Sequence, residues 1–140
     1  MTVEELLECP YWVIDLLPRQ VPDHSPGQYF QIEKYFLSEP QRSAVKQKHI
    51  DLVLKLNCYR DLYIDELGVC NPAPERLAAA MRRQRLCILA GGALLVSEPD
   101  DLTLTLYHPD AALLSLVRAL AASEGLYVWQ PPQEQGSENL

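Results

Sequence analysis

Residues 93–130 constrain the fold of this chain more than any other stretch. Apolar side chains in the first half of the stretch alternate or run continuously, as they do in strands, around a turn at Pro99, Asp100 and Asp101. In the second half they recur at the period of a helix, and a short apolar run follows Gly125. This order predicts strands at 93–97 and 102–107, a helix from 109 to 125 and a strand at 126–129.

The N-terminal part of the chain adds further predicted elements. The apolar run from Tyr11 to Leu17, which Pro18 closes, favours a strand covered on both faces because its first residues are aromatic or β-branched. Ser25 and Ser38 each stand three residues before a glutamine, which is the spacing of a helix capping box. The predicted elements are helices at 26–37 and 39–57, a short strand at 61–65, a helix that starts at 71–74 and ends near 85, and a strand at 86–90. After this strand, Gly91 and Gly92 form either a hairpin turn to the strand at 93–97 or a bend within one long strand.

These elements predict a single α/β or α+β domain over residues 1–130. We expect a mixed sheet of about four to six strands with about four helices packed on it. A length of 140 residues is close to the commonest domain size, which favours one hydrophobic core. Residues 131–140 have too little apolar content to offset the entropy of ordering, so they are predicted to form a flexible tail.

The composition argues against several classes of protein. A net charge of −7 disfavours a role on nucleic acid or on an anionic membrane, because both need a basic footprint. No apolar run reaches the roughly 18 residues that a membrane span needs, and the acidic N-terminus differs from a secretory signal. The four cysteines lack the short spacing of zinc or dithiol sites, so buried free thiols are expected. We therefore expect a cytoplasmic protein without a metal, a cofactor or a membrane partner.

The chain carries no complete catalytic motif. Neither the Gly-x-Ser-x-Gly elbow of serine hydrolases nor the Lys-Ser/Thr of a phosphate loop occurs, and His24, His49 and His108 lack the spacing that pairs two imidazoles on a helix. A hydrolase or transferase is still an alternative interpretation, because a buried carboxylate has a raised pKa and can act as a general acid or base. The candidate catalytic residues are Asp15, which interrupts an apolar strand, and the segment Tyr63, Asp65 and Glu66. The candidate proton carriers are His24, His49 and His108.

The last predicted helix has an outer face with little charge. A helix that faces solvent usually carries more charge, and small side chains let a second backbone approach closely. We hypothesise that a second copy of the chain or another protein covers this face, whereas the alternative is that alanine simply favours helix on an exposed surface. The predicted interface consists of Ala111, Ser115, Arg118, Ala119 and Ala122.

Two clusters of basic residues have both a structural and a functional interpretation. In the helix at 39–57 the bases flank an apolar stripe that contains His49, as lysines do when only their ammonium groups reach water, and a nucleic-acid surface is the alternative. Arg82, Arg83 and Arg85 lie at the end of the next helix, where cations stabilise the negative end of the helix dipole. Their functional alternative is a site for an anion or an acidic partner.

The leading interpretation of function is a small acidic binding or regulatory module that engages a protein partner or a second copy of itself. It rests on the missing catalytic motifs and on the helix face with little charge. A concave site where carboxylates and a histidine meet would favour the enzyme instead.

Overall fold

Within residues 1–132, which the computed structural model describes, seven strands form one sheet and five helices pack around it. The strands are β1 (Tyr11–Asp15), β2 (Tyr63–Ile64), β3 (Val69–Cys70), β4 (Leu86–Ala90), β5 (Ala93–Ser97), β6 (Leu104–Tyr107) and β7 (Tyr127–Trp129), and the helices are α1 (Val3–Leu6), α2 (Tyr29–Leu37), α3 (Gln41–Asn57), α4 (Pro74–Arg83) and α5 (Ala111–Ser123). All neighbouring strands are antiparallel, in the order β3-β2-β4-β5-β6-β1-β7. None of the described helices is long and apolar enough to cross a membrane. The tail predicted for 131–140 falls almost entirely outside the described residues.

A two-residue turn at Gly91 and Gly92 joins β4 to β5 at the centre of the sheet. Ala90 pairs with Ala93 across this turn. Gly91 has a φ of 60°, which residues other than glycine rarely adopt. The predicted hairpin is therefore confirmed, and the alternative of one long bent strand is wrong.

Helices α3, α4 and α5 cover one face of the sheet and form the main core with it. Because side chains alternate between the two faces of a strand, Ile14, Leu95 and Leu104 point to this face. They pack with apolar residues of the helices, such as Leu52 and Val117. Most of the buried apolar surface therefore lies on one side of the sheet.

The opposite face of the sheet is only partly covered. The short helix α1, which Thr2 caps, packs Leu6 in a small cluster with Leu94 and Val96. On the part of this face nearest β1 and β7, the neighbouring chain from residue 16 to residue 40 contains no buried residue. This half of the face is therefore open enough to form the floor of a groove.

The mixed α+β architecture is confirmed, but the sheet differs from the prediction in strand number and direction. It has seven antiparallel strands rather than about four to six strands of mixed direction, and five helices rather than about four. A two-residue turn joins β4 to β5 and a six-residue connection joins β5 to β6, and connections this short allow only antiparallel pairing. The elements that the prediction lacks, α1 and β3, are too short to show a period in the sequence.

Two local predictions in the N-terminal third are also wrong. The N-cap residues of α2 and α3 make no side-chain capping hydrogen bond. Ser38, predicted to cap α3, instead donates its hydroxyl to the Lys34 carbonyl in the last turn of α2 at 2.9 Å. The first strand ends at Asp15 rather than Leu17, and its outer face is not fully covered, since Tyr11 is exposed.

Candidate functional site

A groove of about 760 Å³ lies on the open part of the sheet. Three parts of the chain form it: outward-facing residues of β1, β6 and β7, the segment from Leu16 to Leu37 that includes α2, and the turn at 100–103. We refer to the surface formed by these three parts as the acidic groove. Its floor belongs to the rigid sheet, whereas α2 and the preceding loop form its rim.

The floor of the acidic groove is set by the register of three strands. Val13 lies opposite Thr105 on β6 and opposite Trp129 on β7, so these three side chains stand side by side on the outer face. Asp15 comes two residues after Val13 and therefore points to the same face. The floor is thus a mainly apolar strip with one carboxylate at its end.

Helix α2 forms one rim and exposes large apolar side chains. It has no buried residue. Phe30 is 76% exposed and Ile32 is 46% exposed, and both line the acidic groove. Tyr35 on the same helix is 56% exposed. Exposed apolar side chains that cluster in this way mark contact surfaces on soluble proteins.

The charge of the acidic groove has one sign. Five carboxylates and no basic side chain are found among its described lining residues. Arg19, His24 and Lys34 belong to the same part of the chain, but none of them lines the groove. Asp100 is paired with Arg42, which lies outside the lining, at 3.0 Å. The five carboxylates are those of Asp15, Asp23, Glu33, Asp100 and Asp101.

Two hydrogen bonds hold titratable groups of the acidic groove in place. Burial raises the pKa of the Asp15 carboxyl, although the nearby backbone N–H groups of Leu17 and Leu16 and the indole of Trp129 oppose this. Trp129 Nε1 donates to Asp15 Oδ2 at 3.2 Å. Burial also raises the pKa of Tyr29, and the hydrogen bond that its hydroxyl donates to Glu33 Oε2 at 3.0 Å adds to this effect. The two aromatic side chains are therefore fixed by the carboxylates beside them.

The candidate catalytic residues do not converge. Asp15 lines the acidic groove, whereas Tyr63 lies on β2, four strands away, which corresponds to about 19 Å. Asp65 and Glu66 are exposed after β2, and Glu66 Oε1 accepts a hydrogen bond from the backbone N–H of Cys87 at 2.7 Å. No histidine is among the described residues that line the groove. The structure thus places one predicted catalytic residue in a concave site and leaves the others apart.

The residues of the predicted interface share one exposed face of α5, turned away from the core residues Leu113 and Val117. Arg118 Nη1 donates to the Val128 carbonyl at 2.9 Å, so this side chain also ties α5 to β7. Exposure in a single chain suits both an interface and a helix in water, so the interface stays a prediction. Its residues are Ala111, Ser115, Arg118, Ala119 and Ala122.

Basic residues of α3 contact other parts of the same chain. Arg42 and Lys46 reach the turn at 97–100 on one side of the helix. Lys48 and Lys55 reach the end of α5 on the other side. The predicted flanking arrangement is confirmed, but the Lys46 ammonium does not reach water as predicted: it is buried and donates to Ser97 Oγ at 2.8 Å, and burial lowers the pKa of Lys46 to about 8. These bases stabilise helix packing.

The arginines predicted to bind an anion contact different parts of the chain. Arg82 Nη2 donates to Gln47 Oε1 at 2.6 Å, and Arg85 Nε pairs with Glu98 Oε2 at 3.1 Å. Arg83 is exposed at the end of α4. Two of the three guanidinium groups are therefore engaged within the chain, and an anion site there stays a prediction.

His49 lies in the core as predicted, but it is not satisfied by hydrogen bonds. Its side chain is fully buried, and neither ring nitrogen has a hydrogen-bond partner among the described residues. Burial lowers the pKa of His49 to about 3, the charge of Lys46 adds to this, and a backbone group of Leu102, near but outside hydrogen-bond geometry, opposes it. The imidazole is therefore neutral in the folded protein at neutral pH.

The cysteines are free, as predicted, but only Cys87 is buried. Cys58 and Cys70 are exposed and Cys9 is partly exposed. Burial raises the pKa of the Cys87 thiol to about 11, so this thiol stays protonated at neutral pH and is not a nucleophile.

Sequence reasoning missed the rim of the acidic groove. Its signal was present in residues 29–37, where Phe30, Ile32 and Phe36 fall on more than one side of a short helix and form no single buried stripe. The floor could not be found in this way. It depends on strand register, which brings Val13 beside Trp129 from the other end of the chain.

The fold and the groove together define an α+β protein with a single antiparallel sheet and an open surface of negative charge. No protein-family model matches the sequence, and no curated protein or solved structure matches it significantly. The function is therefore inferred from the groove itself.

Proposed function

We propose that this protein is a binding or regulatory module that receives a segment of a partner protein in the acidic groove. The observation that carries this proposal is the chain from 16 to 40, which is rich in apolar side chains and fully buries none of them. Apolar surface left in water costs about 25 cal/mol per Å² relative to burial. A partner segment that covers this surface would recover that free energy.

The shape of the acidic groove suits a peptide segment. A helix forms one rim and three strands form the floor, and a volume of about 760 Å³ lies within the range of well-formed binding sites. Grooves of this kind bind extended or helical segments through a few apolar anchors. Phe30 and Ile32 would contact such anchors at the rim, and Trp129 would contact them at the floor.

The enzyme alternative finds less support on this surface. Asp15 is the single predicted catalytic residue that lines it, and its carboxylate already accepts a hydrogen bond from Trp129. A general acid or base needs a free position within hydrogen-bond reach of its substrate and usually a second group to complete the proton transfer. The histidines predicted as proton carriers lie elsewhere, since His49 is buried in the core and His108 lines a separate cavity of about 320 Å³.

Panning a random-peptide phage library on the folded protein tests the proposal. We expect the enriched peptides to bind the protein in solution and to lose at least about tenfold in affinity when Phe30→Ala and Ile32→Ala are combined, because exposed anchors of this kind dominate binding energies. Alanine keeps the helix, so circular dichroism and the melting temperature should change little. Fluorescence polarisation with a labelled peptide measures the affinity.

The matched control changes the other predicted surface. The double variant Ala119→Glu, Ala122→Glu alters α5 and leaves the groove intact, so the same peptides should bind it as they bind the native protein. Peptides that bind the groove variant normally and lose affinity for the α5 variant would refute the groove and favour α5. A library that yields no specific binder would refute the proposal as well.

The same α5 variant tests self-association. If the face formed by Ala111, Ser115, Arg118, Ala119 and Ala122 pairs two copies of the chain, light scattering should give a dimer mass for the native protein and a monomer mass for Ala119→Glu, Ala122→Glu. The two carboxylates that each copy would bring into the interface would lose their hydration and repel those of the other copy, which disfavours the dimer. If the variant and the native protein have the same mass in solution and the same melting temperature, the predicted homodimer through α5 is wrong.

A further inference from the structure

We infer that the occupant of the acidic groove is a basic amphipathic segment of another protein, in which lysine or arginine side chains alternate with aromatic or branched aliphatic anchors. The inference rests on the proposed function and deepens it by naming the chemistry of the partner. It is carried by two properties of the groove that occur together, namely an apolar lining and carboxylates of one sign.

The carboxylates are available to a partner. Asp23, Glu33 and Asp101 line the groove and form no ion pair with any described residue. Glu33 accepts one hydrogen bond from Tyr29, and Asp101 attracts the buried Lys46 ammonium, but each carboxylate still faces the groove. Asp100 shares its charge with Arg42 at the edge of the groove. Like charges on one surface repel each other, and a cation of the partner would remove that repulsion, so the groove favours positive charge.

The aromatic lining suits the same partner. Trp129, Tyr29 and Phe30 line the acidic groove together with the carboxylates. A guanidinium or ammonium group can stack on an aromatic face while it pairs with a carboxylate, and its aliphatic stem can cover apolar surface. A small polyvalent cation would satisfy the charge and leave Ile32 and Phe30 in water. The observations therefore favour a segment that carries both kinds of side chain.

Other occupants fit the charge less well. Nucleic acid and an anionic membrane would be repelled by the carboxylates of the groove. Residues 133–140 of the same chain contain Glu134 and Glu138 and no basic residue, so they do not complement the groove either. A variant that ends at residue 132 should therefore bind the peptide as the full chain does.

The test uses the peptides that the library yields. We expect these peptides to be enriched in lysine or arginine next to apolar residues. Replacing the basic residues of one such peptide by glutamine should weaken its binding about fivefold to thirtyfold, as expected for two partly exposed charge pairs. Raising the NaCl concentration from about 50 mM to about 500 mM should weaken binding of the basic peptide and should not change binding of the glutamine peptide. Spermidine should displace the peptide poorly, because it lacks the apolar anchors.

The matched variants carry equal changes of net charge. Glu33→Gln with Asp101→Asn removes two charges from the groove, and Glu4→Gln with Glu75→Gln removes two exposed charges elsewhere. We expect the groove pair to weaken the basic peptide about fivefold to thirtyfold and the distant pair to change it less than about twofold. The glutamine peptide should bind all three proteins alike.

The outcomes separate the two proposals. The inference about charge would be overturned if the enriched peptides lacked basic residues, or if the basic peptide and the glutamine peptide bound with equal affinity. The proposed groove would still stand in that case, provided that Phe30→Ala with Ile32→Ala weakens binding. If spermidine displaces the peptide at an equal concentration of positive charge, the occupant of the groove is a small polycation and not a protein segment. If neither the double variant Phe30→Ala, Ile32→Ala nor the charge variants change the affinity, both the proposed groove and the inference about charge are overturned.

Discussion

The folded protein is expected to lose stability in mild acid because of one buried imidazole. His49 has a pKa of about 3 in the folded state and about 6.5 when unfolded, so the unfolded state binds the extra proton between these two values. The stability that the neutral imidazole provides is fully present above about pH 6.5 and is lost at about 1.4 kcal/mol per pH unit as the pH falls toward 3. Urea unfolding at several pH values measures this loss.

Replacing His49 isolates its contribution from that of the carboxylates. The variant His49→Leu places an apolar side chain of similar size in the core and cannot bind a proton there. Between about pH 7 and pH 4.5 the free energy of unfolding of the native protein should fall by about 2–3 kcal/mol more than that of this variant. The exposed His24 provides the control, and His24→Gln should follow the native curve. Asp15, whose pKa is raised, acts in the opposite direction and is present in all three proteins. Equal acid sensitivity of the native protein and His49→Leu would contradict the prediction.

Truncation of a side chain at the centre of the sheet should be among the most destabilising single changes. Leu95 is 1% exposed on β5 and packs in the core cluster under the helices. The substitution Leu95→Ala removes buried methyl groups and leaves a cavity that the neighbouring strands cannot close, so we expect a loss of about 2–5 kcal/mol in the free energy of unfolding. Denaturant titration followed by circular dichroism gives this value directly.

The control for Leu95 is an apolar residue of the rim. Ile32 is 46% exposed, and Ile32→Ala should cost less than about 0.5 kcal/mol, since a surface change away from packed features has little effect on stability. The contrast between the two substitutions tests the unequal coverage of the sheet. Similar losses for Leu95→Ala and Ile32→Ala would mean that the segment from 16 to 40 belongs to the core.

The parts of the fold that could be predicted are those with a long period or a defined turn. The alternating leucines of β6 and the apolar stripe of α5 indicate which face of each element is buried, and the glycine pair after β4 indicates a hairpin. The structure adds how the strands pair into one sheet, which these patterns do not indicate. Short elements such as β3 contain too few residues for any period and depend on tertiary contacts, among them the hydrogen bond from Leu62 N–H to Asn71 Oδ1 at 2.9 Å.

The candidate site could be predicted in part only. Asp15 stands out in the sequence because a carboxylate interrupts an apolar strand, and it does line the groove. Its partners come from β6, β7 and the turn at 100–103, and their approach depends on strand order, which no local pattern contains. The exposure of Phe30 could not be predicted for a related reason. Apolar composition predicts burial, and an apolar surface that stays exposed looks the same in the sequence as a core.

The lack of buried residues between 16 and 40 separates the packed part of the molecule from the part that we propose binds a partner. Apart from Leu16, which packs against the main core, no side chain of that stretch belongs to either core cluster. If the groove binds a partner as proposed, substitutions in one contiguous piece of the gene would be enough to change the target, in evolution or by engineering, while the packed half of the sheet keeps its fold.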